Sequence, residues 1–147
     1  MEDFYQLLMS NFLIKSEINN YNLFFSTNSK KIFKKLSNNN HYFIVDTKVY
    51  KKFKLEKILK KNIIKINPNE NIKEYKYIYK ILKKLINKNI SKESKIIAIG
   101  GGITQDVCSF ISLILFRGLK WYYFPTTLLS MGDSCIGSKL SVNLDRL

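Results

Sequence analysis

The sequence predicts a doubly wound α/β fold, with a mostly parallel sheet and an N-terminal hairpin. From residue 41 onward, short apolar runs alternate with helical patterns, and one of these runs enters a helix through a glycine-rich turn. Strands that alternate with helices usually form a parallel sheet. The chain must return from the end of one strand to the level at which the next parallel strand starts, and a helix makes this connection. A chain of 147 residues can bury the core of one such domain. No linker or internal repeat interrupts it, so residues 1–147 are treated as a single α/β domain.

The individual elements follow from local patterns. Asn19-Asn20 tolerates the positive φ of a hairpin turn between two apolar stretches. The expected elements are strands 12–18 and 21–25, helix 29–36, strand 41–45 ending at Asp46, strand 63–66, helix 72–90, strand 95–99, a helix after Gly102 that ends before Gly118, and strand 121–124.

Two helices carry an apolar stripe at helical spacing, which indicates the face that each turns toward the core. The expected inward residues are Tyr75, Ile78, Ile81, Leu82, Leu85 and Ile86 in the first, and Val107, Phe110, Ile111, Ile114 and Leu115 in the second.

The glycine turn is the first candidate site. Gly100, Gly101 and Gly102 join a buried strand to a helix, which suits either a plain tight turn or a phosphate cradle. The spacing is not that of the usual dinucleotide fingerprint. Asp106 is expected in the first helical turn, where it would cap N–H groups or meet a ribose hydroxyl.

The basic charge lies mostly before the glycine turn. The net charge is +14, and residues 1–95 carry 21 basic and 8 acidic side chains. Lysine supplies 23 of the 25 basic residues, whereas nucleic-acid readers usually rely on arginine. We therefore expect a solvated lysine surface and no nucleic-acid partner.

Compartment signals point to the cytoplasm. Cys108 and Cys135 lack the spacing of a metal or redox motif, so free thiols are expected. No signal peptide is indicated, and no apolar run is long enough for a membrane span. His41 begins a strand and is expected to be structural or exposed.

The region from Gly100 to Asn143 resembles the 3-dehydroquinate synthase family of sugar-phosphate cyclases. The resemblance rests on Gly-Gly-Gly-x-x-x-Asp, Arg-Gly, Pro-Thr-Thr-Leu-Leu and Asp-Ser-x-x-Gly-x-Lys-x-x-Val-Asn, in this order and with matching gaps. It implies NAD as cofactor, a sugar phosphate as substrate, and an N-terminal cofactor domain. It also implies a homodimer for the full-length enzyme. A divalent metal, Zn or Co, would come with a helical C-terminal domain, which has no counterpart in this chain.

The resemblance assigns residues position by position. The implied NAD contacts are Asp46, Glu70, Lys73, Gly101, Gly102, Ile103, Asp106, Thr126 and Thr127. The implied substrate contacts are Arg117, Asp133 and Lys139, and no metal ligand is assigned. From the residues alone, Asp46 equally suits a turn, and Glu70 with Lys73 equally suits a helix-start pair. Arg117 and Lys139 also have ordinary surface interpretations.

Departures from the family pattern leave the substrate open. Gln105 stands where a glycine usually precedes the aspartate, and Leu140 replaces a threonine. A divergent cyclase acting on another sugar phosphate, or a glycerol-dehydrogenase-like enzyme, is the alternative within enzymes. A basic nucleic-acid-binding module is the alternative outside them. Without the metal domain, we expect the isolated chain to be inactive.

Overall fold

A computed structural model describes residues 10–15, 20–37, 40–136, 141 and 143, and the chain forms two compact units, residues 1–39 and 40–147. In the first unit, β1 (Ser10–Ile14) pairs antiparallel with β2 (Tyr21–Phe25), which confirms the hairpin. The pairing ends at Ile14↔Tyr21, earlier than the strand end predicted at residue 18. Residues 16–19 lie outside the described part.

The first unit also contains α1 (Ser29–Ser37). Ile32, Phe33 and Leu36 are its buried apolar residues, as the spacing predicts. Asn28 begins the helix, because its side-chain Oδ1 accepts a hydrogen bond from the Lys31 N–H at 3.1 Å.

The second unit is built on a four-stranded parallel sheet in the order β4-β3-β5-β6. These strands are β3 (Tyr42–Asp46), β4 (Ile63–Ile66), β5 (Ile96–Gly100) and β6 (Trp121–Pro125). All three pairings are parallel, which confirms the predicted fold class. The four strand predictions lie within one residue of these bounds.

The two central strands are buried on both faces, as expected of a parallel sheet. Phe43, Ile44, Ile97 and Ala98 are fully inaccessible to solvent. Since neighbouring residues of a strand point to opposite faces, this burial explains why the sequence shows continuous apolar runs rather than alternation.

Helices connect the strands. They are α2 (Thr47–Lys52), α3 (Tyr75–Asn87) and α4 (Gly102–Ile114), with 3₁₀ turns at Leu55–Lys57, Glu70–Lys73 and Leu115–Arg117 and a π-helical turn at Ser130–Ser134. Among these described helices, none is long and apolar enough to cross a bilayer.

The prediction for the long helix was wrong at both ends. Glu74 has extended backbone angles (φ −67°, ψ 139°), so it separates the 3₁₀ turn Glu70–Lys73 from α3. Of the predicted core stripe, Ile78, Ile81, Leu82 and Leu85 are buried, but Tyr75 and Ile86 are exposed. Tyr75 is the first residue of α3 and Ile86 the last but one, so both lie beyond the buried middle of the apolar stripe.

The helix after the glycine turn follows its prediction more closely. Val107, Ile111 and Leu115 belong to the hydrophobic core, with Phe110 packed against it, whereas Ile114 is exposed. Gly118 ends the element with φ 112°, a conformation that side-chain-bearing residues rarely adopt.

Candidate functional site

The candidate site lies where the strand order of the sheet reverses. The chain passes from β3 outward to β4, then returns to β5 on the other side of β3 and continues to β6. In open parallel sheets this reversal leaves a crevice beyond the carboxyl ends of the two central strands, where ligands bind. Asp46 ends β3 and Gly100 ends β5, so both lie at the mouth of the crevice.

The three glycines of the turn differ in how closely their neighbours approach, and so in whether a side chain would fit. A Cβ on Gly100 would overlap the side chain of Thr104, so packing alone requires glycine there. A Cβ on Gly101 would lie 3.2 Å from the Thr127 Cγ2 methyl, a tight contact. Gly102 has open space, with only Ser134 Oγ as near as 3.9 Å. Nothing in the described protein therefore demands glycine at position 102.

The start of α4 has no side-chain cap. Gly101, the residue before the helix, has extended backbone angles, and no acidic side chain lies in the first turn. The first N–H groups of a helix have no intrahelical acceptor, so this end favours an anion. The predicted capping by Asp106 was wrong, because Asp106 lies one turn too late and its carboxylate bonds elsewhere.

Asp106 instead belongs to an ion cluster with two of the other predicted residues. Lys73 Nζ donates to Asp106 Oδ2 at 3.3 Å and lies 3.1 Å from Glu70 Oε2. It also donates to Ser141 Oγ at 3.3 Å. Lys73 is buried, so it does not belong to the solvated lysine surface predicted for this region.

The electrostatics of this cluster set the pKa of two groups. Burial alone would lower the pKa of Lys73, but the hydrogen bonds and charges of Glu70 and Asp106 outweigh it, and the pKa is raised. For Asp106, burial raises the pKa, and the opposing contributions of Lys73 and the Ser141 backbone do not cancel it. These contacts therefore favour the charged form of Lys73, whereas burial disfavours the charged form of Asp106.

The loop after β6 closes over the glycine turn. The Thr126 N–H donates to the Gly100 carbonyl at 2.9 Å, while the Thr126 hydroxyl is buried without a hydrogen-bond partner. Thr127 donates to Ser130 Oγ at 2.8 Å, and its oxygen accepts from the Ser130 N–H at 3.3 Å. Thr127 thus caps the short helical segment that begins at Leu128, an element absent from the sequence prediction.

The remaining predicted residues divide into three cases. Asp46 accepts from the Lys48 N–H at 2.7 Å and caps α2, so its turn role is observed. Asp133 is exposed in the π-helical turn, next to Ser134. Arg117 is exposed at the far end of α4, near the amino-terminal edge of the sheet, and is not brought to the crevice. Lys139 lies outside the described residues.

Two contacts of the site went unrecognised in the sequence. Gln105 Nε2 donates to the Ser134 carbonyl at 2.6 Å, and the Tyr123 hydroxyl donates to the Gly100 carbonyl at 3.2 Å. The departure from glycine at position 105 was the only sequence signal for the first. Nothing in the sequence indicated the second.

A separate surface groove lies beside β4 and α3, away from the glycine turn. Its lining includes Lys65, Tyr77, Lys80 and Lys84. Lys80 Nζ lies 5.2 Å from the centre of the Tyr77 ring. The groove is open and its lysines are solvated, so it lacks the buried polar groups that mark the crevice.

The part of the sequence from the start of β4 onward matches a known family model. Residues 63–147 match the model described as 3-dehydroquinate synthase N-terminal. The chain belongs to the 3-dehydroquinate synthase family. This finding confirms the resemblance inferred from the motifs between Gly100 and Asn143.

Curated relatives of the family agree. The 3-dehydroquinate synthase of Clostridium tetani is 35% identical over 137 residues, covering 85% of this chain and 36% of the relative. That of Picrophilus torridus is 39% identical over 108 residues, covering 74% of this chain and 31% of the relative. The chain therefore spans about a third of the length of these relatives.

Solved structures share the fold. A 2-deoxy-scyllo-inosose synthase structure, complexed with carbaglucose-6-phosphate, NAD⁺ and Co²⁺, aligns with a TM-score of 0.73 at 21% identity, covering 92% of this chain and 40% of that one. A 2-epi-5-epi-valiolone synthase from Streptomyces hygroscopicus, with NAD⁺ and Zn²⁺ bound, aligns with a TM-score of 0.62 at 23% identity, covering 71% of this chain and 31% of that one.

Proposed function

We propose that this chain binds NAD⁺ in the crevice between β3 and β5, as the cofactor-binding part of a 3-dehydroquinate synthase-like cyclase. The observation that carries the proposal is the uncapped start of α4 at Gly102, together with the buried, unpartnered hydroxyl of Thr126, whose N–H donates to the Gly100 carbonyl of the same turn. An uncapped helix start attracts a phosphate group, and an unpartnered buried hydroxyl lacks the hydrogen bond that such groups normally make.

The residues present fit a dinucleotide. The backbone amides after Gly101 would hold the diphosphate, because glycine lets the anion approach the main chain closely. Asp46 and Asp106 would accept hydrogen bonds from ribose hydroxyls. Lys73 holds Asp106 in place through the 3.3 Å contact, so that its carboxylate is ordered before the ligand arrives. Glu70, Ile103, Thr126 and Thr127 complete the proposed cofactor contacts.

The reaction would use bound NAD⁺ as a temporary acceptor of hydride from a secondary alcohol of the substrate, which acidifies the neighbouring C–H bond. On this chain, Asp133 and Lys139 would orient the sugar phosphate, and Lys139 would pair with its anionic oxygens. Arg117, in the turn that follows α4, remains a proposed substrate contact of the complete enzyme. Sugar-phosphate cyclisation in aromatic amino-acid biosynthesis is the proposed role of the complete enzyme.

A divalent metal does not fit the described residues. No group of three or more His, Cys, Asp or Glu side chains among them is arranged to hold one. We assign Zn or Co to a helical C-terminal domain, and residues 1–147 to the N-terminal NAD-binding domain. The complete enzyme is proposed to be a cytoplasmic homodimer without nucleic-acid or membrane partners.

Two measurements on the purified chain test this function. Titration calorimetry with NAD⁺ should give saturable binding to one site per chain, and binding should persist in high salt more than a nucleic-acid complex would. The family resemblance implies a seven-carbon sugar phosphate as substrate, and its release of phosphate, with NAD⁺ and a divalent metal present, should stay at background. Absence of NAD⁺ binding, or clear turnover by the chain alone, would contradict the proposal.

A further inference from the structure

Gln105 connects the glycine turn to the segment that carries Asp133. It lies in the first turn of α4, its N–H donates to the Gly101 carbonyl at 3.1 Å, and the residue is only 8% exposed. Its Nε2 crosses to the Ser134 carbonyl, 29 residues later, at 2.6 Å. A glycine at position 105 would have no side chain to make this contact.

The Ser134 carbonyl is a group that needs such a partner. It ends the π-helical turn Ser130–Ser134, and the last carbonyls of a helix have no intrahelical donor. The Cys135 N–H is already donated to the Ser130 carbonyl at 3.0 Å. The Gln105 carboxamide therefore caps this turn from a different helix.

The cap fixes a group that faces the proposed ligand. Ser134 Oγ is buried and is the nearest atom to the open side of Gly102. Burial raises the pKa of the Tyr123 hydroxyl, and a hydrogen bond with the Ser134 side chain opposes that rise, so Ser134 contacts Tyr123. Gln105 Oε1 is buried without a hydrogen-bond partner. A buried carboxamide oxygen without a partner, in the first turn of α4, marks this contact as part of a site rather than of the core.

We infer that Gln105 is a positioning residue, which holds the Asp133–Ser134 turn against Gly102 and thereby tightens cofactor binding. The consequence for binding rests on the proposed NAD⁺ function. The position of the turn does not, and can be measured without any ligand. Gln105 acts through Ser134 and does not itself need to touch the cofactor.

The two cysteines provide the ligand-free measurement. Cys135 follows Ser134 directly and is partly accessible, whereas Cys108 is fully buried in the core. In the Gln105→Met variant, which keeps the side-chain length and loses the donor, Cys135 should react several-fold faster with a thiol reagent. Cys108 should stay protected, which reports that the fold is intact. Ser112→Ala, which removes a buried unpartnered hydroxyl from the same helix, is the matched control and should leave Cys135 unchanged.

NAD⁺ titration of the same proteins completes the test. Gln105→Met should weaken binding about five- to tenfold, the range of one lost hydrogen bond, and Ser112→Ala should bind as the unchanged chain does. Equal Cys135 reactivity in Gln105→Met and the unchanged chain would overturn the inference, and so would faster labelling with unaltered NAD⁺ affinity. Faster labelling in a chain that never binds NAD⁺ would overturn the proposed function while supporting the cap. If Cys108 also reacts in Gln105→Met, the fold of that variant is not intact. The variant Gln105→Glu is then used in its place in the same comparisons.

Discussion

Lys73 and Asp106 meet at 3.3 Å although 33 residues separate them in the chain. Their contact joins the 3₁₀ turn before α3 to the second turn of α4, on the carboxyl side of the sheet. Lys73 is buried, and burial raises the pKa of Asp106. A buried ion pair is weak evidence for stability, so this pair is better explained by the ordering of Asp106 for a ligand.

Removing the ammonium should destabilise the protein. Lys73→Met leaves the Asp106 carboxylate without its cation, and we expect a loss of about 1–3 kcal/mol in the free energy of unfolding. Urea denaturation at neutral pH measures this loss. Lys83→Met, an exposed lysine on α3 with the same change in charge, should stay within about 0.5 kcal/mol of the unchanged chain. Equal effects of the two substitutions would contradict the cluster.

The contribution of Lys73 to the free energy of unfolding should be lost at high pH and not at low pH. Its pKa is raised in the folded state, so its contribution is complete below the ordinary lysine pKa and is lost as the pH rises through the raised value. The stability difference between the unchanged chain and Lys73→Met should therefore be constant from neutral pH to about pH 9 and shrink above about pH 10.4. A difference that shrinks at neutral pH would show that the lysine lacks these partners.

Gly100 should be intolerant of any side chain. The added methyl of Gly100→Ala would collide with Thr104, which is fully buried and cannot move aside. Overpacking of this kind costs about 1–3 kcal/mol, to be measured by thermal or urea unfolding. Gly132→Ala is the control, since nothing lies within 4 Å of its Cβ position. Comparable stability of both variants would mean that the turn is looser than described.

The Thr126 hydroxyl should matter for binding and not for folding. Thr126→Val keeps the shape and removes a buried hydroxyl that has no partner, so stability should stay equal or rise slightly. NAD⁺ affinity should fall about five- to tenfold if the hydroxyl bonds the ligand. A variant that loses stability and keeps its affinity would assign the hydroxyl a structural role.

Local patterns predicted much of the fold because the strands are short apolar runs, and the two central strands are buried on both faces. The strand Ile63–Ile66 was predicted with its observed bounds, since a short apolar run between polar residues has few alternatives. The helix Thr47–Lys52 was missed because it buries none of its residues, which leaves no apolar periodicity to detect. The segment after Thr127 was missed because Leu128, Leu129 and Met131 are exposed rather than inward.

Motif order named candidate residues for the site, but it did not predict the contacts between them. Gly101, Thr126 and Asp106 were named from motif order, and the sheet topology brings their elements to one edge. The contacts of Lys73 with Asp106 and of Gln105 with Ser134 join residues far apart in the chain, and no local pattern encodes such a distance. Capping of α4 by Asp106 was expected from spacing alone, but the helix begins at Gly102, too early for that role.

The sharpest measurement concerns Gly102, the one glycine of the turn that the described protein does not need for packing. Alanine there should leave the stability unchanged or slightly higher, since alanine suits a helix better than glycine does. Its methyl would occupy the space through which a diphosphate reaches the backbone amides. NAD⁺ calorimetry on Gly102→Ala, beside Gly132→Ala and the unchanged chain, should show at least tenfold weaker binding for the first protein only. A stable Gly102→Ala protein that binds NAD⁺ as tightly as the unchanged chain would contradict a dinucleotide at this turn.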